Sequence, residues 1–184
     1  MLDRIALITG NADKAAEYAA MLGIEVTPAK AELTEIQSLN VADVAARKAA
    51  DAYSQLGEPA LVDDTGLTVH AWNGLPGALV AWFLDSVGPQ GILAMAAGLT
   101  DRRATVTTAL GYATPDGVRV FQGTVNGSLA AEPRGTSGFG YDSIFIPDSD
   151  TSHRTYAQMT SDEKNKISHR RRAVEEMRNA LELA

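Results

Sequence analysis

Residues 4–28 do most to limit the folds open to this chain. "RIALIT" at 4–9 is a short apolar run rich in isoleucine and leucine, which reads as a buried strand. Gly10-Asn11 breaks it, and the alanine-rich "ADKAAEYAAML" that follows favours a helix closed by Gly23. "IEVTP" then reads as a second strand. Strand, tight turn, helix and strand, in that order, open an α/β protein.

The rest of the chain keeps to that grammar. A second helix is expected over Val41–Gln55, stopped by Gly57 and Pro59. "ALVDD" reads as a third strand and "GLTVHAW" as a fourth. Trp82–Gly98 reads as helical, with a break near Gly88-Pro89. "RATVTTALGYA" and "VRVFQGTVNGSLA" flank Pro115-Asp116-Gly117, which predicts a hairpin. Glu163–Leu183 predicts a helix or a helix pair. The expectation is one α/β domain over residues 1–184, with a mixed, elongated central sheet flanked by helices.

Composition narrows the function. The 184 residues include no cysteine, so disulfides, thiolate metal sites and cysteine nucleophiles are excluded. No apolar run approaches the ~20 residues that span a bilayer. Met1-Leu2-Asp3-Arg4 lacks the build of a signal peptide. A soluble, cytoplasmic protein with no membrane partner is expected. The formal charge of −7 argues against a nucleic-acid-coating surface. Between Arg154 and Arg178, however, seven basic and four acidic residues leave a local charge of +3. The ordinary reading of such a run is a solvated helix face.

Four clusters could carry chemistry. In Thr9-Gly10-Asn11-Ala12-Asp13-Lys14 a strand ends in glycine just before a helix starts. Free N–H groups and the positive helix end then meet at one spot, with an amide and a lysine beside them, which suits phosphate oxygens. It is neither a Walker A loop nor a dinucleotide fingerprint. In Val62-Asp63-Asp64-Thr65-Gly66, adjacent carboxylates on an extended chain point to opposite sides, so one can face a site while the other caps a turn. Oxygen ligands of this kind suit Mg²⁺. Glu32 or Glu35 could bring a second carboxylate near Asp64. Ser168-His169-Arg170, with Lys164 nearby, supplies further donors. His70 and His153 have no companion groups in the sequence.

A fifth stretch, "RGTSGFGYDSIF" from Arg134 to Phe145, packs three glycines, two phenylalanines and a tyrosine between strand-like segments. Glycines at this density cost backbone entropy, and they let the backbone approach a ligand closely.

Together these pieces resemble the inosine/xanthosine triphosphate pyrophosphatases, hydrolases that remove deaminated purine triphosphates. The resemblance runs nearly end to end. It rests on "TGNADK" at 9–14, "LTE" at 33–35, "RKA" at 47–49, "VDDTGL" at 62–67, "NGLPG" at 73–77, "RG…GFGYD" at 134–142 and "EKNKISHR" at 163–170. It implies that Thr9, Gly10, Asn11, Ala12, Asp13 and Lys14 hold the triphosphate, with Lys48 and Thr65 also at the phosphates. It implies that Asp64 and Glu35 bind Mg²⁺, with Glu32 the alternative ligand. By the same resemblance Asp64, supported by Asp63 and Lys14, would carry the catalytic role. Phe139 would stack on the purine, and Gly140, Tyr141 and Asp142 would line the base pocket. Lys164, His169 and Arg170 would complete the nucleotide site. A homodimer is also implied. Two positions depart from the pattern: Ala81 stands where relatives can carry a basic residue, and Ser143 where proline is usual.

Such a pocket has a physical logic. Inosine and xanthosine carry an acceptor oxygen at position 6, where adenine carries an amino donor. A pocket of donors, Arg170 among them, would pair with the oxygen and clash with adenine. Leaving buried donors unpaired costs roughly 1–3 kcal/mol each. Three other readings follow from the same residues. They are a related pyrophosphatase for pyrimidine nucleotides, a nucleotide-binding sensor without hydrolysis, and a scaffold for protein partners.

Overall fold

The computed structural model describes residues 3–9 and 12–183. Its first half follows the predicted order closely. β1 (Arg4–Ile8) leads into α1 (Ala12–Leu22), and β2 (Glu25–Ala29) returns parallel to β1. α2 (Val41–Leu56) begins where the Asn40 side chain accepts the Ala42 N–H at 3.0 Å, and it ends at Gly57.

β3 is where the structure departs from expectation. "ALVDD" and "GLTVHAW" are not two strands. A single strand of ten residues, β3 (Ala60–Val69), runs through both, and a 3₁₀ turn covers His70–Trp72. Thr65-Gly66 read as a break because glycine usually interrupts a strand. Here glycine is what lets the strand pass. A Cβ on Gly66 would lie 2.7 Å from Val41 Cγ1 and 2.9 Å from the Gly77 carbonyl oxygen. That carbonyl belongs to β4 (Pro76–Gly77), a two-residue strand paired with β3 that is too short to leave a sequence signal.

α3 (Val80–Met95) bends at Gly88, directly before Pro89, as predicted. β5 (Arg103–Thr114) and β6 (Gly117–Leu129) form the expected hairpin, and β7 (Phe145–Pro147) pairs antiparallel with β6. The sheet order is β2-β1-β3-β5-β6-β7, with β4 attached to β3. β1 pairs parallel with β2 and β3, and every other pairing is antiparallel, so the sheet is mixed.

The C-terminal helical segment is a pair, α4 (Ser161–Ile167) and α5 (His169–Ala180). Thr160 and Glu163 start α4 with reciprocal side-chain-to-backbone bonds of 3.2 and 2.8 Å. Ser168 closes α4 and starts α5, accepting the Arg171 N–H at 3.1 Å.

Strand alternation decides which layer each residue joins. Leu61 points into a core with Tyr18 of α1 and Val174 and Met177 of α5. Ala60 and Val62 point the other way, against Ala45 and Ala49 of α2. Farther along, Leu67 and Val69 pack with Ile92 of α3, Phe145 and Tyr156 in a third cluster. β1 pairs with β3 only at Ala60 and Leu61, so the next residues of β3 extend past the carboxyl end of β1. Clefts of α/β sheets open at that edge.

Candidate active site

Asp63 and Asp64 occupy that projecting part of β3, and alternation sends them to different layers. Asp63 shares the side of Leu61. Its carboxylate accepts from Lys14 Nζ at 2.5 Å and from the Tyr18 hydroxyl at 3.1 Å, and Arg170 Nη2 lies 3.9 Å away. Arg170 also faces Glu17 at 3.5 Å. Asp64 shares the side of Val62, where α2 presents Lys48. Lys48 Nζ donates to Asp64 Oδ1 at 2.9 Å and pairs with Glu35. Each acid therefore has its own lysine, one from each of the first two helices.

The two acids differ in what remains open. Asp64 Oδ2 is buried and has no hydrogen-bond partner. Burial raises the proton affinity of Asp64 above the ordinary carboxylate level. The bond and charge of Lys48 oppose that rise, and Glu35 and Asp63 add to it. Burial would also strip the proton from Lys48, but the bonds to Glu35 and Asp64 outweigh it and keep the ammonium charged.

A second cluster gathers around the glycine-rich stretch. Gly138 has φ +74°, a left-handed conformation, and a Cβ there would run into the Asp142 carboxylate. That carboxylate accepts the Phe139 N–H at 2.9 Å and Lys164 Nζ at 2.5 Å. Asp142 therefore shapes the loop as well as lining the cavity. Phe139 is left 70% exposed, with Lys164 Nζ 5.2 Å from its ring centre. Beneath it, the Tyr141 hydroxyl bonds His169 Nε2 at 3.0 Å, and the His169 ring stacks on Tyr156. Burial, and then the charges of Arg170 and Lys164, pull the His169 pKa down to about 3. His169 is neutral at pH 7.

Both clusters line one cavity of about 790 Å³. Lys14, Glu35, Asp63, Asp64 and Thr65 contribute to its wall, as do Phe139, Gly140, Tyr141, Asp142, Lys164, His169 and Arg170. Thr9 and Lys48 do not reach the wall. Thr9 follows β1 with its N–H on the Ala29 carbonyl at 3.1 Å, and Lys48 stands behind Asp64 and Glu35. Gly10 and Asn11 lie outside the described residues, as do the side chains of Ala12 and Asp13.

One expectation needs correction. Glu32 is exposed and does not line the cavity, and its backbone is tied to the Gln55 side chain. Glu35 is the acid that meets Asp64, through Lys48. Arg170, expected among the donors of the base pocket, lines the cavity and contacts Asp63, Glu17 and the Tyr18 ring, while Lys164 is the cation beside Phe139.

Sequence reasoning passed over Glu17, Tyr18, Tyr156 and, apart from Ala81, the wall formed by residues 78–84. Tyr18 was within reach, because it falls four residues after Lys14 on the same helix face. Tyr156 left no signal. In the basic C-terminal stretch the solvated-face reading holds for Arg171, which pairs with Glu175 on the surface. Lys164 and Arg170 turn inward instead.

Fold and cleft together define a class: a mixed-sheet α/β protein with a large cleft lined by acids, lysines and aromatic rings. The chain belongs to the Ham1 family, whose profile matches residues 5–180. It is 41% identical to inosine triphosphate pyrophosphatase 2 of Trypanosoma cruzi over 174 residues, covering 93% of this chain and 88% of that protein. It is 40% identical to a dITP/XTP pyrophosphatase of Methanopyrus kandleri over 176 residues, covering 94% and 93%. Among solved structures it superposes on the Staphylococcus aureus Ham1 protein with a TM-score of 0.87 and 30% identity, covering 97% of this chain and 98% of that one.

Proposed function

We propose that this protein hydrolyses non-canonical purine nucleoside triphosphates, ITP, dITP and XTP, to the monophosphate and pyrophosphate. The observation that carries the reading is the shared cavity. One wall sets paired carboxylates against lysines, and another sets an exposed aromatic ring beside an ammonium group. The names of the relatives point to the same substrates.

The residues divide the work. Water adds to the α-phosphorus, and the bond from that phosphorus to the bridging oxygen breaks, releasing pyrophosphate. Asp64 Oδ2 would take a proton from that water or ligate a cation; its lack of a hydrogen-bond partner despite burial, and its raised proton affinity, support this role. Lys14 supplies positive charge at the same wall. Phe139 offers a flat face to the purine. Lys164 donates toward a 6-oxygen and meets adenine's amino group donor to donor.

Magnesium is part of the proposal. Among the described residues, no three histidine or acidic side chains gather into a metal cage. Glu35 and Asp64 converge on one ammonium, and Asp64 keeps a buried oxygen free. Mg²⁺ is commonly held by one or two carboxylates together with substrate phosphates, so this donor set fits. When bound, the ion would neutralise charge building on the phosphates. A homodimer and a cytoplasmic location belong to the same reading. Among the described residues, no helix is long and apolar enough to cross a membrane.

The test is pyrophosphate release from a panel of purine and pyrimidine triphosphates, with and without Mg²⁺. Release from ITP, dITP and XTP that needs the metal and is weak with ATP is the expected result. Release confined to pyrimidine nucleotides would replace the proposed substrate, and binding without release would make the protein a sensor.

A further inference from the structure

Lys48 is an unusual residue to find behind a cation site. It sits within α2, is 9% exposed, and does not line the cavity that its two acidic partners line. Its ammonium is 2.9 Å from Asp64 Oδ1 and in contact with Glu35, while Asp64 Oδ2 is buried and has no hydrogen-bond partner. Glu35 lies in the segment between β2 and α2 that forms no regular element, and its side chain is 60% exposed. Among the described residues, its one ion pair is with Lys48. Two carboxylates brought together without a counter-charge repel, and one of them would take up a proton.

We propose that Lys48 is the resident counter-ion of the magnesium carboxylates: it holds Glu35 beside Asp64 while no metal is bound, and it competes with the metal for them. The inference rests on the assignment of Glu35 and Asp64 as cation ligands. A divalent ion at Asp64 Oδ2 would share that carboxylate with the ammonium on Oδ1. Like charges sharing one carboxylate in a partly buried site oppose each other far more than in water. The ion therefore binds weakly to the free protein and loosens Lys48 as it enters. Metal loading is thereby tied to nucleotide arrival, since the phosphates bring the additional ligands and the negative charge.

Calorimetric titration of the nucleotide-free protein with Mn²⁺, repeated with Mg²⁺, tests this. Lys48→Met keeps the length of the stem and removes the charge. It should bind the ion about tenfold more tightly than the wild type. Equal or weaker binding by the variant, beside measurable binding by the wild type, overturns the proposal and leaves Lys48 as an organiser of the carboxylates only. Asp64→Asn separates this from failure of the site itself. If the wild type and Asp64→Asn titrate alike, the ligand assignment has failed, and the inference falls with it. Should Lys48→Met not fold, Lys48→Gln replaces it. Wild-type protein supplies an independent reading, because acetylation of Lys48, followed by peptide mass spectrometry, should run faster with Mn²⁺ than without. An unchanged rate counts against the proposal.

Discussion

The acidic and aromatic clusters of the cleft share a cavity but are built differently. Asp63 and Asp64 sit in the middle of a ten-residue strand that pairs with β5 along its whole length. Each is met by a lysine from a different helix. Phe139 sits in a loop, 70% exposed, and its anchoring comes from the Asp142 carboxylate and Lys164. Groups that must meet a reacting atom in one geometry gain from a rigid mounting. A ring that has only to lie flat on a base can sit on a loop, because stacking is broad in its demands. The contrast separates where bonds would change from where the ligand would be recognised.

That contrast can be broken at three points. The largest effect is expected at the strand. Asp64→Asn should lower turnover on ITP by about a hundredfold or more while the fold survives, measured as initial rates of pyrophosphate release and by circular dichroism. Near-normal rates would remove Asp64 from its role. At the loop, Phe139→Ala should raise KM for ITP by about tenfold with little change in kcat, since stacking is worth roughly 1–3 kcal/mol and acts on binding. An equal fall in kcat would show that the ring also positions the phosphates. Because the ring is exposed, Tm should not move.

The third effect falls on stability rather than on turnover or binding. Unfolded His169 takes a proton below about pH 6.5, whereas the folded residue holds out to about 3. Between those limits the unfolded state binds more protons, so stability falls as pH falls. The loss from His169 amounts to about 2 kcal/mol at pH 5 relative to neutral pH. His169→Gln should lose correspondingly less between pH 7 and 5 in urea melts. Parallel pH profiles for the two proteins would contradict the buried neutral histidine.

Legibility in the sequence divides along similar lines. β1, α1, β2 and α2 could be read because each is an apolar or alanine-rich run closed by glycine or proline. Two long alternating segments around a tight turn gave the hairpin. β3 misled because the close approach of Val41 and Gly77 that requires Gly66 is a tertiary fact. The same limit applied to the site. Lys14, Asp63, Asp64 and Phe139 were singled out because their residue types and neighbours advertise chemistry. That Asp142 serves the loop, that Arg170 belongs with Asp63, and that Tyr156 supports His169 depend on contacts between residues far apart in the chain. No local pattern encodes them.

The alternation of β3 also bears on how such a chain can change over generations. One residue gained or lost upstream within that strand would turn Asp63 toward α2 and Asp64 toward α1, exchanging their lysines and carrying the unpartnered carboxylate oxygen away from the layer that holds Lys48. Substitutions along β3 can be sampled one by one, but a change of length there scrambles both assignments at once. The Phe139 loop has no such parity to protect. Drift in length should therefore concentrate on the Phe139 side of the cleft, and if that side recognises the base as proposed, new ligand preferences should arise there first.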